Sequence, residues 1–413
     1  MSFKETEIGL IPPEWKYDSI RDSLYIKGRI GWKGLKKSEY LEHSEFRIIN
    51  GSNIIENKVD WFGCGYISEE RYLESPEIIL RPNDIIMTKD GTIGKLAIVK
   101  ELSEPSTVAS GLFVIRIENN EIDVYYLFYY LTSPFFKKLI KSRTEGSVIP
   151  HLYQKDLLEL KLPLPLLQEQ KAIAHILSTL DEKIEVNNRI NKTLEEMAQE
   201  IFKHWFVDFE FYNEDGDPYK SSGGEMIESE FGMIPKGWQV INLGEIISLS
   251  SGKRPRQKLS EASSEFEIPL VGASSIMSYT NEFNYNESVL VIGRVGTHGV
   301  VQRYNDRIWA SDNTLVIKSK YYEYVYQILN SIDYSAINRG STQPLITQTD
   351  IKKHKVLKPG EGLFEKFENL VGKNNRLQLV NQKQNSVLES IRNTLLPKLM
   401  SGEIRVPLDT VEQ

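Results

Sequence analysis

The sequence predicts an α+β protein in which two mixed α/β units, related by an internal repeat, are joined by two long antiparallel helices paired as a coiled coil. Three observations predict this. The first is Leu166 to Phe211, a stretch that follows Pro163-Leu164-Pro165 and contains no further Pro or Gly before Gly216. The second is a phrase that occurs twice, Glu7-Ile8-Gly9-Leu10-Ile11-Pro12-Pro13-Glu14-Trp15 and Glu230-Phe231-Gly232-Met233-Ile234-Pro235-Lys236-Gly237-Trp238. The third is a second apolar stripe, from about Gly362 to Met400.

In chain order, residues 1–165 form the first unit. Its repeat extends past the opening phrase: Ile85 to Thr92 has its counterpart in Val289 to Thr297, Ala109-Ser110 in Ala310-Ser311, and Gly146 to Pro150 in Gly340 to Pro344. Residues 166–211 form the first long helix. Ile173, Ile176, Leu177, Leu180, Ile184, Leu194, Met197, Ile201, Phe202 and Trp205 recur at three- and four-residue steps, the period of one helix face. At about 1.5 Å per residue, roughly 36 residues span about 54 Å, and a single stripe of that length needs a partner. Asn187 and Asn191 fall on the stripe, either as buried asparagines that fix the register of a helix pair or as a solvent-exposed kink. Residues 212–229, rich in Asp, Gly, Asn and Ser, read as a linker. Residues 230–361 form the second unit and 362–402 the second long helix, which Pro397 kinks or terminates. A tail, 403–413, follows.

Length and charge narrow the function. With 413 residues, two or three domains are expected. A net charge of -7 argues against a nonspecific polyanion binder, though local basic grooves remain compatible with it. No signal-peptide pattern opens the chain and no run approaches the roughly 18 apolar residues of a membrane helix, so a cytoplasmic protein with no membrane partner is expected. The single cysteine, Cys64, excludes an intrachain disulfide and reads as a small buried residue. The catalytic patterns fail in turn. Gly91 to Leu96 resembles a phosphate loop but has Lys89 and Leu96 at two defining positions. The six histidines show no metal-ligand spacing. No catalytic residue and no metal site is expected.

What remains is a set of Gly-, Ser- and Lys/Arg-rich loops at matching places in both units. Glycine permits close backbone approach, while Lys, Arg, Asn and Ser reach phosphates and base edges. The candidate DNA-binding residues are Lys27, Arg29, Lys33, Asn53, Lys89 and Thr92 in the first unit. In the second they are Lys253, Arg254, Arg256, Ser274, Arg294, Thr297 and His298. The alternative is that these are ordinary turns carrying solvated charge.

Several motifs resemble the specificity subunits of type I restriction-modification systems. They are the two Gly-x-Ile-Pro-x-x-Trp openings, Pro163 to Ala174 with its Gln168-Glu169-Gln170-Lys171, Leu177 to Ile184, Phe202 to Phe209, and Leu395 to Ile404. The resemblance implies two target recognition domains, each reading half of a bipartite double-stranded DNA site, separated by two helical spacers. It implies a non-catalytic chain that binds no cofactor itself. It also implies two modification subunits that use S-adenosylmethionine, and restriction subunits that use ATP and Mg²⁺. The second spacer lacks the Gln-Glu-Gln-Lys opening. A competing expectation is a coiled-coil protein-interaction scaffold without DNA specificity.

Overall fold

Each Gly-x-Ile-Pro-x-x-Trp phrase starts a unit in the same way. In the computed structural model, which describes residues 3–30, 34–144, 151–295, 299–336 and 345–407, the phrase opens on a hairpin. Lys4–Thr6 pairs with Gly9–Ile11, and Met226–Ser229 with Gly232–Pro235. Gly9 and Gly232 take φ of 110° and 83°, a region that side chains with a Cβ rarely adopt. Ile11 and Trp15, like Ile234 and Trp238, then turn into a core.

The chain forms two compact units, 1–186 with 384–413 and 187–383. In the first, a four-stranded antiparallel sheet has the order Leu96–Ile98, Ile85–Thr88, Leu112–Ile117, Leu24–Gly28. Its inner strands are apolar on both faces because both are covered. Ile85, Met87, Phe113 and Ile115 share one core with the helix Val124–Thr132, while Ile86, Leu112 and Val114 share another with Ile49 and Val108 of a smaller sheet. That smaller sheet has the order Ser106–Val108, Phe46–Ile49, Gly65–Ile67, its first pair parallel. A third sheet pairs Lys16–Ser19 with Lys161–Leu164.

The second unit repeats this strand for strand. Ser248–Ser251, Thr314–Lys318, Val289–Gly293 and Val301–Tyr304 form its four-stranded sheet; Ile276–Thr280, Ile268–Val271 and Trp309–Ala310 its smaller one; Gln239–Asn242 pairs with Lys355–Lys358. Leu290, Ile292, Leu315 and Ile317 face one core and Val289, Val291 and Val316 the other. The repeated segments Gly146–Pro150 and Gly340–Pro344 lie outside the described residues.

Two boundaries differ from the sequence reading, and Pro397 does not end the second long helix. The first long helix, Leu167–Phe202, continues as a π turn, Lys203–Val207, and stops there rather than at Phe211. Phe209 takes φ of 62°, and Phe206, Phe209 and Phe211 pack on Trp238. The second long helix, Glu361–Ser401, runs through Pro397 instead of stopping at it. The expected linker is partly strand, Met226–Ser229, and its start is tied by Phe211 stacked on Tyr219 and by the Asn213 side chain accepting from the backbone of Asp215 and Asp217. Asn187 is buried, and Asn191 meets the second long helix: its side-chain oxygen accepts from Asn381 at 2.8 Å and its carbonyl from Gln378 at 2.9 Å. These asparagines sit at a helix contact, not at an exposed kink.

The missing Gln-Glu-Gln-Lys has a structural counterpart. In the first unit Gln170 accepts from the Asp123 backbone and donates to the carbonyls of Glu121 and Pro165, while Asp123 caps Val124–Thr132. In the second, Tyr322–Ser331 has no cap of its own. Glu368 of the second long helix instead accepts from the backbone of Glu323 and Tyr324, each at 3.0 Å. Burial pushes the Glu368 carboxyl up to about 7. Glu169, also from that motif, is buried, accepting from Trp15 and, in bidentate fashion, from Arg405 at 2.7 and 3.0 Å. Among the described residues no helix is long and apolar enough to cross a membrane.

Two outcomes follow from these buried carboxylates. Arg405→Ala leaves Glu169 with half its partners and should lower the stability of the first unit by roughly 1–3 kcal/mol in urea unfolding, with Arg405→Lys restoring only part because it cannot form the fork. Glu368 holds its proton more tightly folded than unfolded, so its contribution to stability falls as pH rises from about 4.5 to about 7 and is flat above. The stability of wild type minus that of Glu368→Gln should therefore shrink across that window. An equal difference at pH 5 and pH 8 would contradict this environment for Glu368.

Candidate nucleic-acid interface

Of the first-unit residues expected at an interface, Lys27 and Thr92 are exposed and Lys89 is half-buried. Lys27 stands over the Tyr25 ring and Lys89 over that of Phe113, 5.8 and 5.1 Å from the centroids. Two others are turned into the fold. Arg29 is buried, donating to the Val108 carbonyl at 3.2 Å and to Ser75 Oγ at 3.3 Å. Asn53 is buried too: its Oδ1 accepts from the Asn50 backbone and its Nδ2 donates to the Gly63 carbonyl. Both hold loops together and offer nothing to a ligand at the surface. Lys33 lies outside the described residues, as do Thr297 and His298 of the second unit.

The second unit gathers its residues more tightly. Gly252 lets the chain leave strand Ser248–Ser251 in contact with the 310–314 backbone, where an added Cβ would come within 2.1 Å of the Ser311 carbonyl oxygen and 2.5 Å of that of Ala310. The next residue is fastened twice, since the Lys253 amide donates to the Ala310 carbonyl at 2.9 Å and its carbonyl accepts from Trp309 Nε1 at 2.6 Å. Residues 253–258 carry four cations, Lys253, Arg254, Arg256 and Lys258, all exposed. Three of them, Arg254, Arg256 and Lys258, line a cleft of about 440 Å³ together with Leu270, Met277, Ser311, Asp312 and Asn313. Arg294, half-buried, is drawn to this place by its amide, which donates to the Asn313 carbonyl at 2.8 Å. Ser274 is exposed in the turn closed by the Gly272 amide and the Ser275 carbonyl.

Local charge thus outweighs the net charge of the chain. A row of cations beside hydroxyl, amide and carboxylate groups is the mixture that meets phosphates and base edges. Among the described residues no cluster of three His, Cys, Asp or Glu side chains is placed to hold a metal ion. Burial raises the Cys64 thiol to about 11, which suits a core residue and not a nucleophile. Sequence reasoning missed Lys258, Asp312 and Asn313. The available signal was the divergence after the shared Ala-Ser, where Gly111 alone precedes the strand of the first unit and Asp312-Asn313 precedes that of the second.

The family model for the type I restriction modification DNA specificity domain matches residues 14–196 and 235–360. The chain belongs to this family. Among specificity subunits, it is 29% identical over 434 residues to that of the type I restriction enzyme MjaIX from Methanocaldococcus jannaschii, with 98% of this chain and 96% of that one covered. It is 22% identical over 458 residues to that of the type I restriction enzyme HindI from Haemophilus influenzae, covering 92% and 99%. The crystal structure of a type I restriction-modification system S subunit from M. genitalium matches with a TM-score of 0.59 at 18% identity, over 97% of this chain and 99% of that one, a likeness of fold.

Gly252→Ala should push the cationic segment off the 310–314 turn. We expect a loss of roughly 1–3 kcal/mol, as for other overpacked sites, together with weaker DNA binding in a fluorescence titration. Unchanged stability would mean that the close approach at Gly252 is not needed.

Proposed function

We propose that this chain is the non-catalytic DNA-recognition and assembly subunit of a cytoplasmic type I restriction-modification complex. Each unit reads one half of a bipartite double-stranded site. The two long helices act as a spacer that fixes the gap, and the chain carries two modification subunits and the restriction subunits. S-adenosylmethionine, ATP and Mg²⁺ serve those partners.

The observation that carries this reading is the duplication. The family match falls in two blocks, one opening at each Trp-containing phrase, and the two units repeat the same sheets. A pair of equivalent readers suits a site with two specified halves. Side-chain contacts support an antiparallel helix pair: in the second unit Asn191 meets Asn381, Phe202 meets Phe367 and Phe206 meets Phe364, so one helix rises as the other falls. In the first unit Asp181 meets Arg392 in the same sense. About 54 Å of helix exceeds one turn of B-DNA, about 34–36 Å, the spacing at which two half-sites face one side. A scaffold that binds only proteins is not favoured, because the family is one of DNA specificity.

The test is adenine methylation mapping in cells carrying the chain with its modification partner, against cells lacking the chain. One new split motif is expected, two short blocks around a fixed gap. Inserting four residues near Asn188 adds about 6 Å of helix and should widen the gap by about one or two base pairs while leaving both blocks intact. An unchanged gap would sink the spacer role.

A further inference from the structure

The cleft of the second unit combines three features. Its lining residues include Arg254, Arg256 and Lys258, and Arg254 has no ion-pair partner among the described residues. They include the exposed Asp312 and Asn313, and Asp312 likewise has no ion-pair partner among the described residues. They also include Ser311, only 3% exposed, whose Oγ is buried with no hydrogen-bond partner among the described residues. Burying a hydroxyl unpaired is unfavourable, and native structures rarely do so without a use for the group. A ligand oxygen entering the cleft would satisfy it.

Resting on the DNA-recognition reading above, we propose that this cleft seats one backbone phosphate of the second half-site and that Asp312 beside it reads a base. The phosphate oxygens accept from Ser311 Oγ and from Arg254, Arg256 and Lys258, which fixes the position of the strand without reading sequence. Asp312 and Asn313, on the rim, then meet the adjacent base edge. A carboxylate only accepts hydrogen bonds, so its partner is a base with an exocyclic amino group in the major groove, adenine through N6 or cytosine through N4. Guanine and thymine present acceptors there and are repelled. The first unit has a single residue, Gly111, where the second has Asp312 and Asn313, and nothing there corresponds to Asp312, so this reading belongs to one half-site only.

The test uses the full chain, wild type and variant, on a pool of random-sequence duplexes, with selected sequences read out and affinities measured across a salt series. Wild type is expected to select a split consensus. Asp312→Ala should lose the preference for adenine or cytosine at one position of one block, discrimination there falling roughly tenfold to a hundredfold, with the other block untouched. Arg254→Ala should keep the consensus, bind all duplexes more weakly and show a log-log salt slope shallower by about 1. Ser311→Ala should keep both consensus and slope but lose affinity uniformly. If Asp312→Ala selects the wild-type consensus, or the relaxed position had been guanine or thymine, the inference is overturned while the recognition role stands. If wild type itself selects no split consensus, the recognition role falls as well.

Discussion

Neither core closes without both long helices. In the first unit Ile173 and Leu177 of one helix and Leu396, Leu399 and Met400 of the other share a core with Ile11 and Trp15. In the second, Phe202, Trp205 and Phe206 share one with Phe364, Phe367, Val371 and Trp238. The sheets alone have an apolar face left over, since the inner strands alternate toward two separate cores and only one is covered by the smaller sheet. Burial of that remaining face, at about 25 cal/mol per Å², ties each four-stranded sheet to both long helices.

Polar groups at these junctions do different jobs in the two units. Gln170 and Glu368 each organise the start of the helix that follows the central sheet, one indirectly through Asp123 and the other by capping it outright. The same structural need is met by an amide near the beginning of one long helix and by a carboxylate about two turns into the other. Divergence of sequence here is therefore not divergence of architecture.

Much of this was legible in the residues. The repeated phrase announces both units because a turn glycine followed by Ile and Trp specifies a hairpin and two anchors, and the long helices announce themselves by period and by the absence of breakers. The cleft was half legible: Arg254 and Arg256 stand in a Gly-rich loop and do face outward. Arg29 and Asn53 stand in similar loops and face inward. Composition cannot separate these cases, because an arginine beside glycine looks the same whether its guanidinium finds water or the Val108 carbonyl. What decides is which carbonyls lie across the loop, and that depends on strand pairings far away in sequence. Pro397 is a similar case, since a breaker in the last turns of a helix is overruled when Leu396, Leu399 and Met400 around it are buried.

The division of the chain has a consequence for how it is made. Residues 187–383 are contiguous, so the second unit can close as soon as they have left the ribosome. The first unit cannot. Its opening strands are made before the second unit, yet Leu396, Leu399, Met400 and Arg405 complete its core and the ion pair to the buried Glu169 only after the whole second unit has been translated. The half of the protein that is born first is finished last, and during that interval Trp15 and Glu169 wait with half their partners still unsynthesised.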